Sequence, residues 1–313
     1  MTTLPAARAV SAAALRAALL LLGVSVVVFA QLRAIPGDPV LIALGEGNLP
    51  ADPATVADWR RSLGLSGSWT AQYLDWLGAL AHGDWGLSLR TRRPVALELA
   101  DRVGWSCAIG VGGVALAATF SLPLGRAAAL HPGGAVDGTS RLLAVGLQSI
   151  PAFALAIGVV ALAASFPGTL RLYTGGVLER IAAPTTLVFL YALSPLVRVV
   201  RRAYLDESAR PHLRAAEAKG LSRRDALRRH GGRAALLALL AALPPMATWA
   251  VGGTAVVEIV FGIPGISQLV VDSVAARDHA VLQVFVMLMA LAMVIVHAAV
   301  DLARGRLDPR PVE

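Results

Sequence analysis

The sequence has one lysine, one cysteine and little charge: Asp, Glu, Lys and Arg make up 15% of its 313 residues, against about 25% in an ordinary soluble domain. Each shortage excludes something. The lysine, Lys219, is followed by Gly220 and Leu221, so no Gly-Lys-Ser/Thr step exists to cradle a nucleotide phosphate. Cys107 stands alone in an apolar run, which rules out an intrachain disulfide or a thiolate metal cluster; it reads as a small buried hydrophobe. The six histidines (His82, His131, His212, His230, His279, His297) form neither H-x-x-x-H nor H-E-x-x-H, leaving an intramembrane zinc protease unsupported. No G-x-S-x-G occurs. The residues therefore offer no catalytic, cofactor-binding or metal site belonging to this chain.

What is present is apolar length. Hydrophobic residues are 56% of the chain and the mean hydropathy is +0.66. Charge-free runs occupy 17–32, 103–125, 142–166, 181–197, 236–257 and 280–300, and roughly 20 apolar residues span a bilayer core about 30 Å thick. An all-α polytopic membrane protein with six transmembrane helices is predicted. Arg8 and Arg16 ahead of the first run could pass for a signal peptide, but the run continues through Leu32 without a convincing small-x-small cleavage site, so a retained span is expected.

The formal charge of +8 is concentrated rather than spread. Between Arg198 and Arg233 stand eleven basic residues against four acids (Asp206, Glu207, Glu217, Asp225). A basic segment beside membrane spans marks the cytoplasmic side, so the charge is read as topological and not as a nucleic-acid surface. Both termini, the loop with Arg126 and Arg141, and the tail with Arg304, Arg306 and Arg310 are then cytoplasmic. The expected division is a terminus and first span at 1–33, an extracytoplasmic domain at 34–102, a permeation core at 103–302 and a tail at 303–313.

Residues 33–102 hold seven Arg and eight acids. After the proline-broken start, ATVADWRRSLGL places Val56, Trp59 and Leu63 on one helical face, and TAQYLDWLGALAHGDWG reads as a second amphipathic helix ending at Gly83. The cytoplasmic segment at 203–235 is the most informative. Pro211 opens a run of helix formers, HLRAAEAK, that meets Gly220, a residue type suited to the left-handed end of a helix. Ser222 then begins an S-x-x-D capping arrangement with Asp225. Helix, Gly-Leu turn and capped helix follow, the second helix passing into the fifth span; such an element is suited to being pushed from the cytoplasm.

Within the spans, ionisable groups are almost absent. Glu258 and Asp301 fall just beyond run ends, where water can reach them, and structural pairing, a helix-end role and substrate contact are all open. Pro123, Pro151, Pro195, Pro244 and Pro245 each remove a backbone donor and invite a kink. Ala108 with Gly112, and Gly113 with Ala117, fit the small-x-x-x-small spacing of close helix packing. Kinked helices lining an alternately opened cavity are one reading, with Pro151, Pro244, Pro245 and Glu258 as pathway or gate candidates; tight packing alone is the other.

Four stretches in order carry a resemblance. RAIPGDPV with LGLSGSWTAQYLDWLGALAHGDWGLSLRTRRPV, then RAAEAKGLSRRDALRRHGGRAAL, then VVEIVFGIPGISQLVVDSVAARD, and DPR at 308–310 together resemble the permease subunit of bacterial binding-protein-dependent ABC importers of the dipeptide, oligopeptide and nickel type. The resemblance implies that Arg214, Ala215, Ala216, Glu217, Ala218, Lys219, Gly220, Leu221, Ser222 and Asp225 form the EAA-type coupling loop. It further implies a second, homologous permease forming a heterodimer with this one, two ATPase subunits carrying ATP and Mg, an extracytoplasmic solute-binding protein, and a place in the inner membrane. Peptides are the default cargo, with nickel or a nickel chelate the main rival and glutathione and sugars behind. The sequence departs from the family pattern at Ala234, Ala238, Ser267, His279 and Ala280. An ion-driven secondary carrier and a membrane enzyme with an unrecognised site are the alternatives from other classes.

Overall fold

The computed structural model describes residues 3–37, 40–42, 52–62, 64–166 and 171–307. Its named elements are α1 (Thr3–Ala34), α2 (Pro53–Ser62), α3 (Trp69–Ala81), α4 (Val95–Leu130), α5 (Ala135–Ser149), α6 (Ala152–Ala164), α7 (Arg171–Thr174), α8 (Val177–Ser208), α9 (Pro211–Ala218), α10 (Arg223–Val260), α11 (Ile266–Ala275) and α12 (His279–Leu307). Among the described residues the extended pairing is one isolated bridge, Leu87 with Pro94. The architecture is all-α and polytopic.

Among the described residues five helices are long and apolar enough to cross a membrane: Ser11–Ala34 of α1, α4, α8, Arg224–Ala250 of α10, and α12. The expected span at 142–166 is divided between two helices, the geometry of a broken span or of a re-entrant loop. α5 and α6 meet at an angle of 97° and make a sixth span only when taken together. The cause is Pro151, whose ring disfavours helical geometry in the residue before it; Ile150 is extended, with φ −105° and ψ 127°. By contrast α4 runs through Pro123, α8 through Pro184 and Pro195, and α10 through Pro244 and Pro245. A single proline costs a long helix one hydrogen bond, a loss that a helix of this length tolerates.

Other boundaries shift as well. Residues 126–141, expected as a loop, are mostly the end of α4 and the start of α5, and α4 begins at Val95, inside the stretch expected as an external domain. Cys107 is exposed, not buried, on the same face of α4 as Val103 and Val111. Lipid is as apolar as a protein core, so apolarity in a span does not predict burial. Leu63, Asp38, Pro39 and the DPR stretch lie outside the described residues.

The chain divides into two compact units, one of residues up to Arg102 with Gln268–Val294, the other of Val103–Ser267 with the residues from Ile295 onward. In the first, Tyr73 and Trp76 of α3 close a ring cluster on Phe29 of α1, with centroid separations from 5.3 to 6.3 Å. Ser25 and Tyr73 are joined by a 2.8 Å hydrogen bond. Two of the three residues expected on one face of α2 pack together: Val40 and Val56 are buried with Trp59 and Leu65 against them, and the Arg92 guanidinium lies 3.4 Å over the Trp59 ring.

In the second unit, two rows of buried residues at four-residue spacing face each other. Gly113, Ala117, Ser121 and Gly125 form one row on α4; Val188, Ala192, Leu196 and Val200 form the other on α8. A Cβ on Gly113 would stand 2.6 Å from Val188 Cγ1, and one on Gly125 2.6 Å from Val200 Cγ1. Both contacts advance by twelve residues on each helix, so α4 and α8 run parallel, ridge against ridge. Asp137, fully buried, ties α5 to α8: it accepts from Gly133 N at 2.8 Å and Arg141 Nη2 at 2.8 Å, while Arg201 Nε stands 2.7 Å from its other oxygen.

Candidate functional site

α9 and α10 are joined by a turn whose geometry follows from the sequence. Pro211 occupies the first turn of α9, where its missing N–H is no loss. At the other end Gly220 has φ +95°. Its N–H donates to the Glu217 carbonyl at 2.9 Å, and Leu221 N–H donates to the Ala216 carbonyl at 3.2 Å. These are the two bonds of a Schellman motif, which needs a left-handed residue at the position Gly220 holds. Ser222 Oγ then accepts from Asp225 N at 3.1 Å, and the Ser222 hydroxyl donates to the Asp225 carboxylate at 2.7 Å. The expected capping residues are thus the ones used.

The turn is anchored below and open above. Leu213, Ala226 and Leu227 are buried in the main core, and a Cβ on Gly231 would stand 2.5 Å from the Tyr204 ring, so α10 passes α8 with no room for a side chain. Of the ten sequence-identified residues, Arg214, Ala215, Ala218, Lys219, Gly220, Ser222 and Asp225 are exposed, and Ala216, Glu217 and Leu221 are half-buried. The result is a projecting face on a rigid base. Beside it lies a cavity of about 540 Å³ lined by Arg210, His212, Arg229, His230 and Arg233 around Glu207; Glu207 holds Arg210 at 3.3 Å and His212 at 3.0 Å. His230 and Arg233 come to this cavity from the motif, whereas Glu207 and Tyr204 carry no sequence signal.

The far end of α10 repeats the same turn. Gly262 has φ +60°, and bonds from Gly262 N to Ile259 O (3.1 Å) and from Ile263 N to Glu258 O (2.9 Å) close it. Arg180 Nη2 donates to the Gly262 carbonyl at 3.2 Å. Glu258 is fully buried, so the water contact open at the sequence level is absent. Its Oε2 accepts from Ser267 N at 3.2 Å, and Ser106 Oγ accepts from Ile266 N at 2.8 Å, so two side chains cap the start of α11. Gly265 is required there because a Cβ would stand 2.7 Å from both Glu258 Cδ and Ser106 Oγ. The geometry around Glu258 is that of a helix-end cap.

Pro151 is a real break, and the fold supplies what the break removes. The Ile150 carbonyl accepts the Tyr191 hydroxyl, Tyr191 stacks on Trp249 of α10 at 6.0 Å, and Arg198 Nη2 donates to Gln148 Oε1 at 3.1 Å. Tyr191 and Trp249 were not singled out by sequence. Pro244 and Pro245 lie one turn before Trp249 within unbroken α10.

In the first unit, both segments of the first motif stretch meet the third stretch. Arg33 Nη1 donates to His279 Nδ1 at 2.7 Å, Arg277 Nη1 donates to the Pro36 carbonyl, and a Cβ on Gly37 would overlap the Arg277 guanidinium. Asp278, buried, accepts from Ser88 Oγ at 2.5 Å, and Arg90 faces Asp272 at 3.6 Å. These pairs join residues some 182 to 246 positions apart, which is why no local pattern shows them.

Comparison with known proteins agrees with this arrangement along nearly the whole chain. Residues 121–312 match a family described as binding-protein-dependent transport system inner membrane component, and residues 7–103 match its N-terminal counterpart. The chain is 30% identical over 289 residues to a glutathione transport system permease protein, GsiC, of Salmonella choleraesuis (strain SC-B67), covering 92% of this chain and 94% of that one. It is 29% identical over 286 residues to the protein of the same description from Escherichia coli (strain K12), covering 91% and 92%. With five to six membrane-crossing helices, a capped helix-turn-helix on a rigid base and a match over well over half its length, the chain belongs to the binding-protein-dependent transport system inner membrane components, the permease subunits of ABC importers.

Proposed function

We propose that this permease subunit pairs with a second, homologous permease to form a pathway for small peptides, and that α9 with the Gly220 turn docks on a separate ATPase subunit. The carrying observation is the turn itself: seven exposed motif residues stand on a base fixed by Leu213, Ala226, Leu227 and the Gly231 contact with Tyr204. A force applied to α9 is passed to α10, one continuous helix of 38 residues, because the Schellman bonds and the Ser222 cap leave the joint little freedom. The basic balance of 198–233 supports a cytoplasmic position for this element, with both termini on the same side, a solute-binding protein on the other, and ATP and Mg held by the ATPase subunits. Peptide-type cargo is favoured by the GsiC relatives, whose description is glutathione transport.

The test is substitution at Gly220 in the complex reconstituted with its ATPases and binding protein. No atom lies within 4 Å of a Cβ there, so the cost is backbone strain alone, about 1–2 kcal/mol for an L-residue held left-handed. Gly220→Ala and Gly220→Leu are expected to lose peptide uptake to similar extents while membrane insertion and basal ATP hydrolysis persist. Gly220→Asn, which tolerates the conformation better, retains more. Uptake unaltered in Gly220→Leu would overturn the docking role.

A further inference from the structure

We propose that the first unit holds a binding site for a small zwitterion of the α-amino acid class, distinct from the coupling turn and independent of which cargo the importer carries. The site is a cavity of about 250 Å³ whose wall includes Arg33, Gln72, Trp76 and Gln283, with Asp75 and Asp84 also on it. Gln283 of α12 is 3% exposed, yet its Nε2 has no hydrogen-bond partner, and the same is true of buried Trp76 Nε1. Buried polar groups are almost always paired. Two unpaired donors on residues that line the same cavity call for an acceptor that comes from outside the described residues.

A third donor group is held in place beside them. Gln72 is buried, and its Nε2 donates to the Leu65 and Gly67 carbonyls at 3.2 and 3.1 Å, which turns its Oε1 to accept from Arg33 Nε at 2.9 Å. With His279 Nδ1 on Nη1, the guanidinium is oriented before any ligand arrives. A guanidinium, an indole N–H and an amide N–H on one wall suit a carboxylate, the acceptor that takes several charge-assisted bonds at once. The buried acid on the same wall, Asp278, is already engaged by Ser88 Oγ and does not compete. Asp75 and Asp84, both exposed, put negative charge on the open side, where an ammonium would sit. The volume is below the roughly 300–1,000 Å³ of drug-sized pockets, which limits the ligand to a few heavy atoms.

The full-length chain in lipid nanodiscs, titrated with L-alanine by calorimetry, tests this. Saturable binding is expected, with acetate and ethylamine each at least about tenfold weaker, since each offers one of the two charges. Gln283→Leu and Trp76→Phe should each weaken L-alanine about tenfold or more, the cost of a lost bond to a charged group. Asp75→Asn should weaken L-alanine and leave acetate unchanged. If Gln283→Leu does not fold, Trp76→Phe, which keeps the ring, carries the test. No saturable L-alanine binding by the unaltered chain, acetate binding as tightly as L-alanine, or unchanged affinity in Trp76→Phe would each overturn the proposal. None of these readouts involves uptake or ATP hydrolysis, so they stand apart from the coupling test.

Discussion

Gly125→Ala adds one methyl group where α4 lies against α8, and the structure sets what that costs. The new Cβ would stand 2.6 Å from Val200 Cγ1, 2.7 Å from Val200 Cβ and 3.0 Å from the Val197 carbonyl oxygen. Carbon atoms in comfortable contact are about 3.5–4.0 Å apart, so the helices must separate locally by about 1 Å. One of the obstacles is backbone, which no rotamer change removes. Overpacking of this kind costs about 1–3 kcal/mol. Measured by reversible SDS unfolding of the purified protein, Gly125→Ala should fall in that range, while Gly104→Ala on the same helix, with no atom within 4 Å of its Cβ, should be neutral or slightly stabilising. Val200→Ala removes the closest atom, Cγ1, keeps the Cβ at 2.7 Å and leaves a cavity of its own. In Gly125→Ala with Val200→Ala the new methyl fills part of that space, so the double variant should be more stable than the sum of the single costs by about 0.5–3 kcal/mol. Strict additivity would refute the close packing of these two helices.

Three further outcomes follow from the same geometry. Asp137→Ala leaves Arg201 without its buried partner and should cost about 3 kcal/mol in the unfolding assay, whereas Arg141→Ala, removing a side chain 59% exposed, should cost less than about 1 kcal/mol. Tyr191→Phe should destabilise by about 1–2 kcal/mol by orphaning the Ile150 carbonyl, with Tyr191→Trp no better because the hydroxyl is what is missing. Gly265→Ala should displace the Glu258 carboxylate and uncap α11, seen as faster hydrogen exchange at Ile266 and Ser267 than in Gly262→Asn, which keeps a left-handed residue type in its turn.

The outer motif departures gain physical content from the structure. His279, where the family pattern differs, takes the Arg33 guanidinium. Ser267, another departure, contributes only its backbone N–H to the Glu258 carboxylate, so the side chain is free to vary at no cost to the cap. The proline pair at 244 and 245 does not break α10; the break lies at Pro151, where the preceding Ile150 leaves helical geometry.

By itself the sequence determined what is decided within a turn or two of backbone. The helical stretches follow from long apolar runs, the Gly220 turn from a residue that accepts positive φ, the cap from Ser222 and Asp225 three positions apart, and the faces of α2 and α3 from their spacing. These need no partner from elsewhere in the chain. Only the tertiary structure decided which side of each apolar helix is buried, because lipid and core reward the same side chains; hence exposed Cys107 and buried Gly113 on one helix. It also decided the pairings of distant residues: Val200 against Gly125, Tyr191 on Ile150, Glu258 on Ser267, and Gln283 with Trp76 on one cavity wall. Such contacts depend on how helices far apart in sequence come together, and no local periodicity encodes that.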